Sequence, residues 1–255
     1  MLEILFPHSF AIVIAAFAIS IIAGVIKGAV GFAMPLVMVS GLSSIMDPKL
    51  ALSALIVPIV VANVWQTFRQ GITPALNATI EFRRYLFIVC LSILISAQLV
   101  NVISDKAFFA VLGVPIVVLS IVQLMGLRLQ IRRERRNFAE WIIGLISGTV
   151  GGVAGTWGPT TVMFLMAINT PKAKQMVVQG VIYGIGSIAL LVAHIQSGIF
   201  NRDTAPFSAM LLLPGLFGMW VGFRIQDRMN QDLFRKATLV VLVVAGLNLI
   251  RKAFV

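Results

Sequence analysis

Charged residues are scarce. Asp, Glu, Lys and Arg make up only 11% of the 255 residues, and just 9 are acidic. Soluble domains carry roughly 25% charged residues, so an ordinary soluble fold is excluded. Cysteine is nearly absent: the lone Cys90 rules out an internal disulfide and a thiolate metal cluster. The catalytic signatures HExxH, CxxC, GxSxG and the phosphate-binding Walker loop are all missing. No enzyme, cofactor or metal is therefore expected. Carboxylates are missing from the apolar blocks themselves, lying in loops, at block ends or before the first block. That argues against a carboxylate proton relay or an acidic cation cage, since an ionisable group at membrane depth normally marks such a function.

What is abundant is aliphatic. Apolar residues reach 59%, mean hydropathy is +1.01, and the apolar residues come in blocks instead of alternating, which favours helices over a barrel. The blocks run over about 10–26, 29–46, 50–68, 85–101, 107–127, 141–157, 159–169, 174–197, 205–223 and 234–250. Most are long enough to cross a hydrocarbon core about 30 Å thick. The block 159–169, between Pro159 and Pro171, is too short. Met1–Ser9 holds no Lys or Arg and no small-residue cleavage site, so the first block reads as mature protein and not as a signal peptide.

The sequence repeats itself. Gly24, Gly28, Gly31 and Pro35 have the same spacing as Gly148, Gly152, Gly155 and Pro159, and Asp47-Pro48-Lys49 is echoed by Thr170-Pro171-Lys172. This predicts an all-α polytopic membrane protein built from two inverted repeats. Each is a re-entrant hairpin of two short helices followed by three transmembrane helices, an odd number that inverts the second half. The first repeat covers 1–127 with its hairpin at about 10–46. A basic cytoplasmic connector covers 128–140, and the second repeat covers 141–255 with its hairpin at about 141–169.

The net charge of +11 reflects loop arginines and lysines. Under this topology, 14 of the 20 basic residues fall on one face, including the run 128–136. The positive-inside rule makes that face cytoplasmic and puts both termini outside, in the cell inner (plasma) membrane. Anionic lipid, not nucleic acid, is the expected neighbour of the run. Oligomeric state is not readable, and a homo-oligomer stays open.

Breaks in membrane helices are tolerated where protein or a wet cavity covers the freed backbone. A helix restarting at Pro35 or Pro159 would present N–H donors to an anion. Close packing of small residues is the competing account of the glycines. Lys27, whose repeat partner Gly151 is neutral, adds a cation to the first turn and predicts an anionic cargo. Backbone around Gly28–Gly31 and Gly152–Thr156, including Gly155, would hold the cargo's oxygens. Asn63, Gln66, Gln179 and Tyr183 would line the cavity, with Thr156 and Trp157 as further donors in the second turn.

At these turns, GVIKGAVGFAMP (24–35) and GTVGGVAGTWGP (148–159), the chain resembles the sulfite exporter TauE/SafE family of membrane permeases. The resemblance implies transport of small sulfur-containing anions such as sulfite, organosulfonates or related carboxylates, with the hairpin turns near the substrate. Phe32, Ala33 and Met34 make the first turn bulkier and less polar than the family's glycine runs. The expected function is secondary transport by alternating access. A channel-like anion pore and a non-transporting membrane scaffold are the rivals.

Overall fold

The computed structural model describes residues 10–96, 105–127, 130–154, 157–196 and 198–254. Its regular structure is helical, with no strand among the described residues. In chain order the helices are α1 (Phe10–Val30), α2 (Met34–Leu42), α3 (Pro48–Phe68), α4 (Ile72–Glu81), α5 (Arg83–Ser96) and α6 (Asp105–Leu124). They continue with α7 (Arg136–Ala154), α8 (Gly158–Ala167), α9 (Lys172–Gln196), α10 (Ala205–Arg228) and α11 (Gln231–Phe254). Among the described residues, four helices, α1, α3, α9 and α10, are long and apolar enough to cross a membrane. Large apolar side chains such as Ile14, Leu94, Leu213 and Phe217 point outward, where a water-soluble protein would place charge. The chain is a multi-pass membrane protein.

Both glycine-rich segments form a helix, a break and a restart with proline in the first turn. The first break is Gly31–Ala33, with Gly31 at φ 88° and Ala33 at φ 73°. Such φ values are cheap for glycine and strained for alanine. The arms differ from the expectation of two short helices. α1 has 21 residues and α7 has 19, whereas α2 has 9 and α8 has 10. At 1.5 Å per residue, the first arms reach about 30 Å and the second about 15 Å. Gly24 and Gly28 do not end α1, because a helix interior tolerates glycine at a cost of about 1 kcal/mol. The region between the third and fourth blocks also differs, forming α4 where a loop was expected. Ile72, Leu76 and Ile80, spaced one turn apart, are exposed along it while Ala75 and Ala78 are buried.

The chain forms two compact units, each drawing on both sequence halves: residues up to Ala75 with Gln179–Arg228, and Leu76–Val178 with Met229–Val255. In the first unit, α1 packs along α10. The seam is backbone on backbone. A Cβ on Gly24 would lie 2.2 Å from the Gly215 carbonyl oxygen, and one on Gly222 would lie 2.2 Å from that of Val25. Small residues at this spacing let membrane helices approach closely.

α3 also packs on α10, at a helix defect. Pro58 has no N–H to give the Ala54 carbonyl. Ser208 Oγ on α10 donates to that carbonyl at 3.0 Å and accepts from the Val57 N–H at 3.1 Å. The chain enters α3 through Asp47, whose Oδ1 accepts the Leu50 N–H at 3.3 Å as an N-cap.

In the second unit α7 packs on α5, and α6 packs on α11. Gly148 sits against Val89 and Ser92 of α5, while Gly113 of α6 faces the Gly246 carbonyl of α11. The first arm of each hairpin thus packs on the helix that holds the matching position in the other half, α1 on α10 and α7 on α5.

Candidate functional site

Lys27 occupies the last turn of α1 and is 2% exposed. Three local features make a buried ammonium tolerable there. The negative end of the α1 dipole lies beside it. Its Nζ donates to Asn63 Oδ1 at 2.6 Å and to Gln66 Oε1 at 2.8 Å, both on α3. The ring of Tyr183 on α9 has its centroid 5.7 Å from Nζ, within range of a cation–π attraction.

The amides are themselves held. Asn63 Nδ2 donates to the Tyr183 carbonyl at 3.0 Å, and Gln66 Nε2 donates to the Gly31 carbonyl at 3.1 Å. Asn63 and Gln66 are each 2% exposed. Local sequence sets this register. The two amides lie three residues apart on α3 and so share a face. Gly180 lets the backbone of α9 meet that of α3 at Thr67, since a Cβ there would lie 2.7 Å from the Thr67 nitrogen.

Among the described residues no carboxylate pairs with Lys27, so neutral oxygens solvate its charge without cancelling it. The break after α1 adds donors. Ala33 is the N-cap of α2 and supplies no side-chain cap, leaving the first N–H groups of α2 without the hydroxyl or carboxylate that usually satisfies them. An uncapped helix N-terminus favours an anion.

The structure thus brings Lys27, Gly31, Asn63, Gln66 and Tyr183 into one cluster. Gln179, fully buried, lies one turn before Tyr183 on α9. Gly28 lies inside α1 and faces α10, where a Cβ would meet the Met219 carbonyl oxygen at 2.3 Å. Gly152 lies within α7 of the second unit. Gly155 and Thr156 lie outside the described residues. Trp157 is buried in the second unit and is the N-cap of α8, again with no side-chain cap.

The sequence reading missed a hydroxyl cluster at the second hairpin. Tyr85 of α5 places its Oη 2.8 Å from Ser147 Oγ and 3.0 Å from Thr161 Oγ1. Ser147 donates to Thr160 Oγ1, and Thr160 and Thr161 both donate to the Trp157 carbonyl. Every hydroxyl proton is used, so this network fastens α5, α7 and α8 together. Its sequence signal was weak, because Ser and Thr in apolar helices commonly bond locally.

The first hairpin therefore carries a buried cation with amide partners, and the second a neutral, satisfied network. The family model of the sulfite exporter TauE/SafE matches residues 16–249. No curated protein and no solved structure matches the chain.

Proposed function

Since the chain belongs to the sulfite exporter TauE/SafE family, a family of membrane transporters, we propose that it is a secondary transporter moving a small sulfur-containing anion by alternating access. The single observation that carries this reading is the buried Lys27 ammonium, whose hydrogen bonds among the described residues both go to neutral amide oxygens. An ammonium has three N–H donors. Two go to Asn63 and Gln66, and the third is left for the cargo. An oxyanion would supply the missing negative charge in a low-dielectric setting, where such a pairing is stronger than in water.

Selectivity follows from the same chemistry. A cation entering beside Lys27 would be repelled, and a neutral solute would leave the charge uncompensated. Gln66 links cargo to conformation, since its carbonyl accepts from Lys27 while its amide holds the Gly31 carbonyl at the helix break. Cargo that drew Lys27 away would loosen that link and free the turn to rearrange. The uncapped start of α2 would contribute further donors. Gly28 packs α1 on α10, while Gln179 and Tyr183 form the α9 wall.

The second hairpin takes the matching role in an inverted repeat, with backbone from Gly152 through Gly155, Thr156 and Trp157 as its contribution. The mirrored packing of α1 on α10 and α7 on α5 supports that duplication. In this reading the repeats are 1–127 and 141–255, joined by the basic segment 128–140. The basic-rich face is cytoplasmic, with both termini outside the inner membrane. The near-complete burial of Lys27 favours a carrier over a permanently open pore, whose lining would stay wet.

Reconstituted protein tests the proposal. Sulfite uptake into proteoliposomes should saturate, and unlabelled sulfite inside should accelerate entry of labelled sulfite. Linear flux without such exchange would indicate a pore. No flux of sulfite, small organosulfonates or carboxylates in tight vesicles would reject transport.

A further inference from the structure

We propose that a cleft in the second unit, bordered by Arg83, Arg84 and Arg136, binds the phosphate of an anionic phospholipid headgroup. The cleft encloses about 380 Å³ and lies where α5 and α7 begin. Arg136 is held in place on three sides. Its guanidinium stacks on the Phe82 ring at 4.9 Å and donates to Glu140 Oε1 at 3.0 Å and Glu81 Oε1 at 3.1 Å. Lys174 takes the other Glu81 oxygen at 2.5 Å. Partial burial pushes the Glu81 carboxyl up, but hydrogen bonds from Lys174 and Arg136 outweigh this and hold it below its ordinary value. Both carboxylates are thus occupied in fixing Arg136 and Lys174.

Two guanidinium groups remain. Arg84 approaches Glu140 only at 3.9 Å, and Arg83 has no hydrogen-bond or ion-pair partner among the described residues. Four cations therefore stand against two carboxylates, an excess that an arriving anion would relieve. Arg83 and Arg84 also occupy the first turn of α5, the helix end that favours negative charge. Paired guanidinium forks match phosphate oxygens in geometry as well as charge.

The apolar surroundings decide between a lipid and a free anion. Ile80 lines the cleft and is 62% exposed, with Leu76 exposed one turn earlier on α4. Phe138 and Trp141, in the first turns of α7, are 67% and 55% exposed. Exposed aromatic residues near helix ends mark headgroup depth. A phosphate in the cleft would carry its acyl chains along Ile80 and Leu76, whereas a free ion would need none of these side chains.

The test is native mass spectrometry of the whole purified protein with phosphatidylglycerol, phosphatidylcholine or inorganic phosphate. The comparison set is wild type, Arg83→Gln and Arg83→Gln/Arg84→Gln. Wild type should retain phosphatidylglycerol over phosphatidylcholine, and each lost arginine should lower that preference by up to about fivefold. Equal retention of the two lipids by wild type would overturn the proposal, as would undiminished phosphatidylglycerol binding by the double variant. Displacement of phosphatidylglycerol by millimolar phosphate would also overturn it, reassigning the cleft to a free anion. Arg83 is exposed, so Arg83→Gln removes no hydrogen bond or ion pair among the described residues. It decides the matter alone if the double variant does not fold.

Discussion

The Lys27 ammonium rests 2.6 Å from the side-chain oxygen of Asn63, a neutral acceptor on a different helix. A carboxylate in that place would make a closed ion pair, whose mutual attraction any arriving anion would have to break. An amide oxygen satisfies hydrogen-bonding geometry and leaves the positive charge in force. The second amide at Gln66 does the same at 2.8 Å. Two weak acceptors thus hold a strong donor in register, as the proposed carrier would require in order to take up an anion and later release it.

Replacing Lys27 by Gln should remove the charge while keeping a polar side chain. Charge-assisted hydrogen bonds contribute about 1.5–3 kcal/mol, so apparent sulfite affinity should fall roughly tenfold to a hundredfold. Proteoliposome uptake across a range of sulfite concentrations measures it. Unchanged half-saturation and maximal rate would make Lys27 a structural residue.

Asn63→Asp should separate stability from transport. The new carboxylate would face Nζ across the same gap and pair with it. Although the Tyr183 carbonyl loses the Nδ2 donor, compensating the buried charge should keep thermal unfolding in detergent at or above the wild-type temperature. Transport should drop by at least about tenfold, because cargo must now compete with an internal anion. Asn63→Leu, which removes both the acceptor for Lys27 and the donor to the Tyr183 carbonyl, should lower both. If Asn63→Asp transports like wild type, the cargo does not meet Lys27.

Lys27, Asn63, Gln66 and Tyr183 were legible in the sequence because a polar side chain in an apolar run costs free energy and so points to a purpose. The all-helical fold and the two proline restarts were legible for a similar reason, since block length and proline chemistry constrain them directly. The length of the first hairpin arms was not. The sequence places Gly24 and Gly28 in the turn, with close packing as the competing account, and that packing depends on Gly215, Gly218 and Gly222, nearly two hundred positions away, which receive α1. The three glycines on α10 are spaced for such a seam, and pairing the two sets would have revealed it. The hydroxyl cluster around Tyr85 was hidden because it is assembled from three helices, none of which carries a distinctive pattern.

That seam makes a direct prediction. A Cβ added at Gly222 would lie 2.2 Å from the Val25 carbonyl oxygen and 2.8 Å from Gly28 Cα. Neither neighbour is a flexible side-chain tip, so α1 and α10 would have to part. Gly222→Ala should destabilise the protein by about 1–3 kcal/mol through overpacking. Gly126→Ala, with open space around its Cβ but φ +101°, controls for backbone strain without a clash. Thermal unfolding of both variants distinguishes the mechanisms. If Gly222→Ala costs no more than Gly126→Ala, the α1–α10 contact is looser than described.

The Pro58 defect in α3 offers a double-mutant test. Ser208 serves two backbone groups there, donating to the Ala54 carbonyl and accepting from the Val57 N–H. Ser208→Ala alone strands the carbonyl that Pro58 cannot reach and should cost about 1–3 kcal/mol, the penalty for a buried polar group left without a partner. Pro58→Ala restores an N–H at position 58, so the helix can bond Ala54 by itself. In that background Ser208→Ala should cost markedly less, giving a coupling of about 1 kcal/mol or more between the two sites. Equilibrium unfolding of the four proteins in mixed micelles supplies the cycle. Additive losses would mean that Ser208 stabilises α10 without repairing α3. A clear coupling would also bear on transport, because Asn63 and Gln66 lie on the stretch of α3 beyond Pro58. Any loosening at the repaired defect would then reach Lys27, and Ser208→Ala should weaken sulfite affinity although it touches no residue of the cluster.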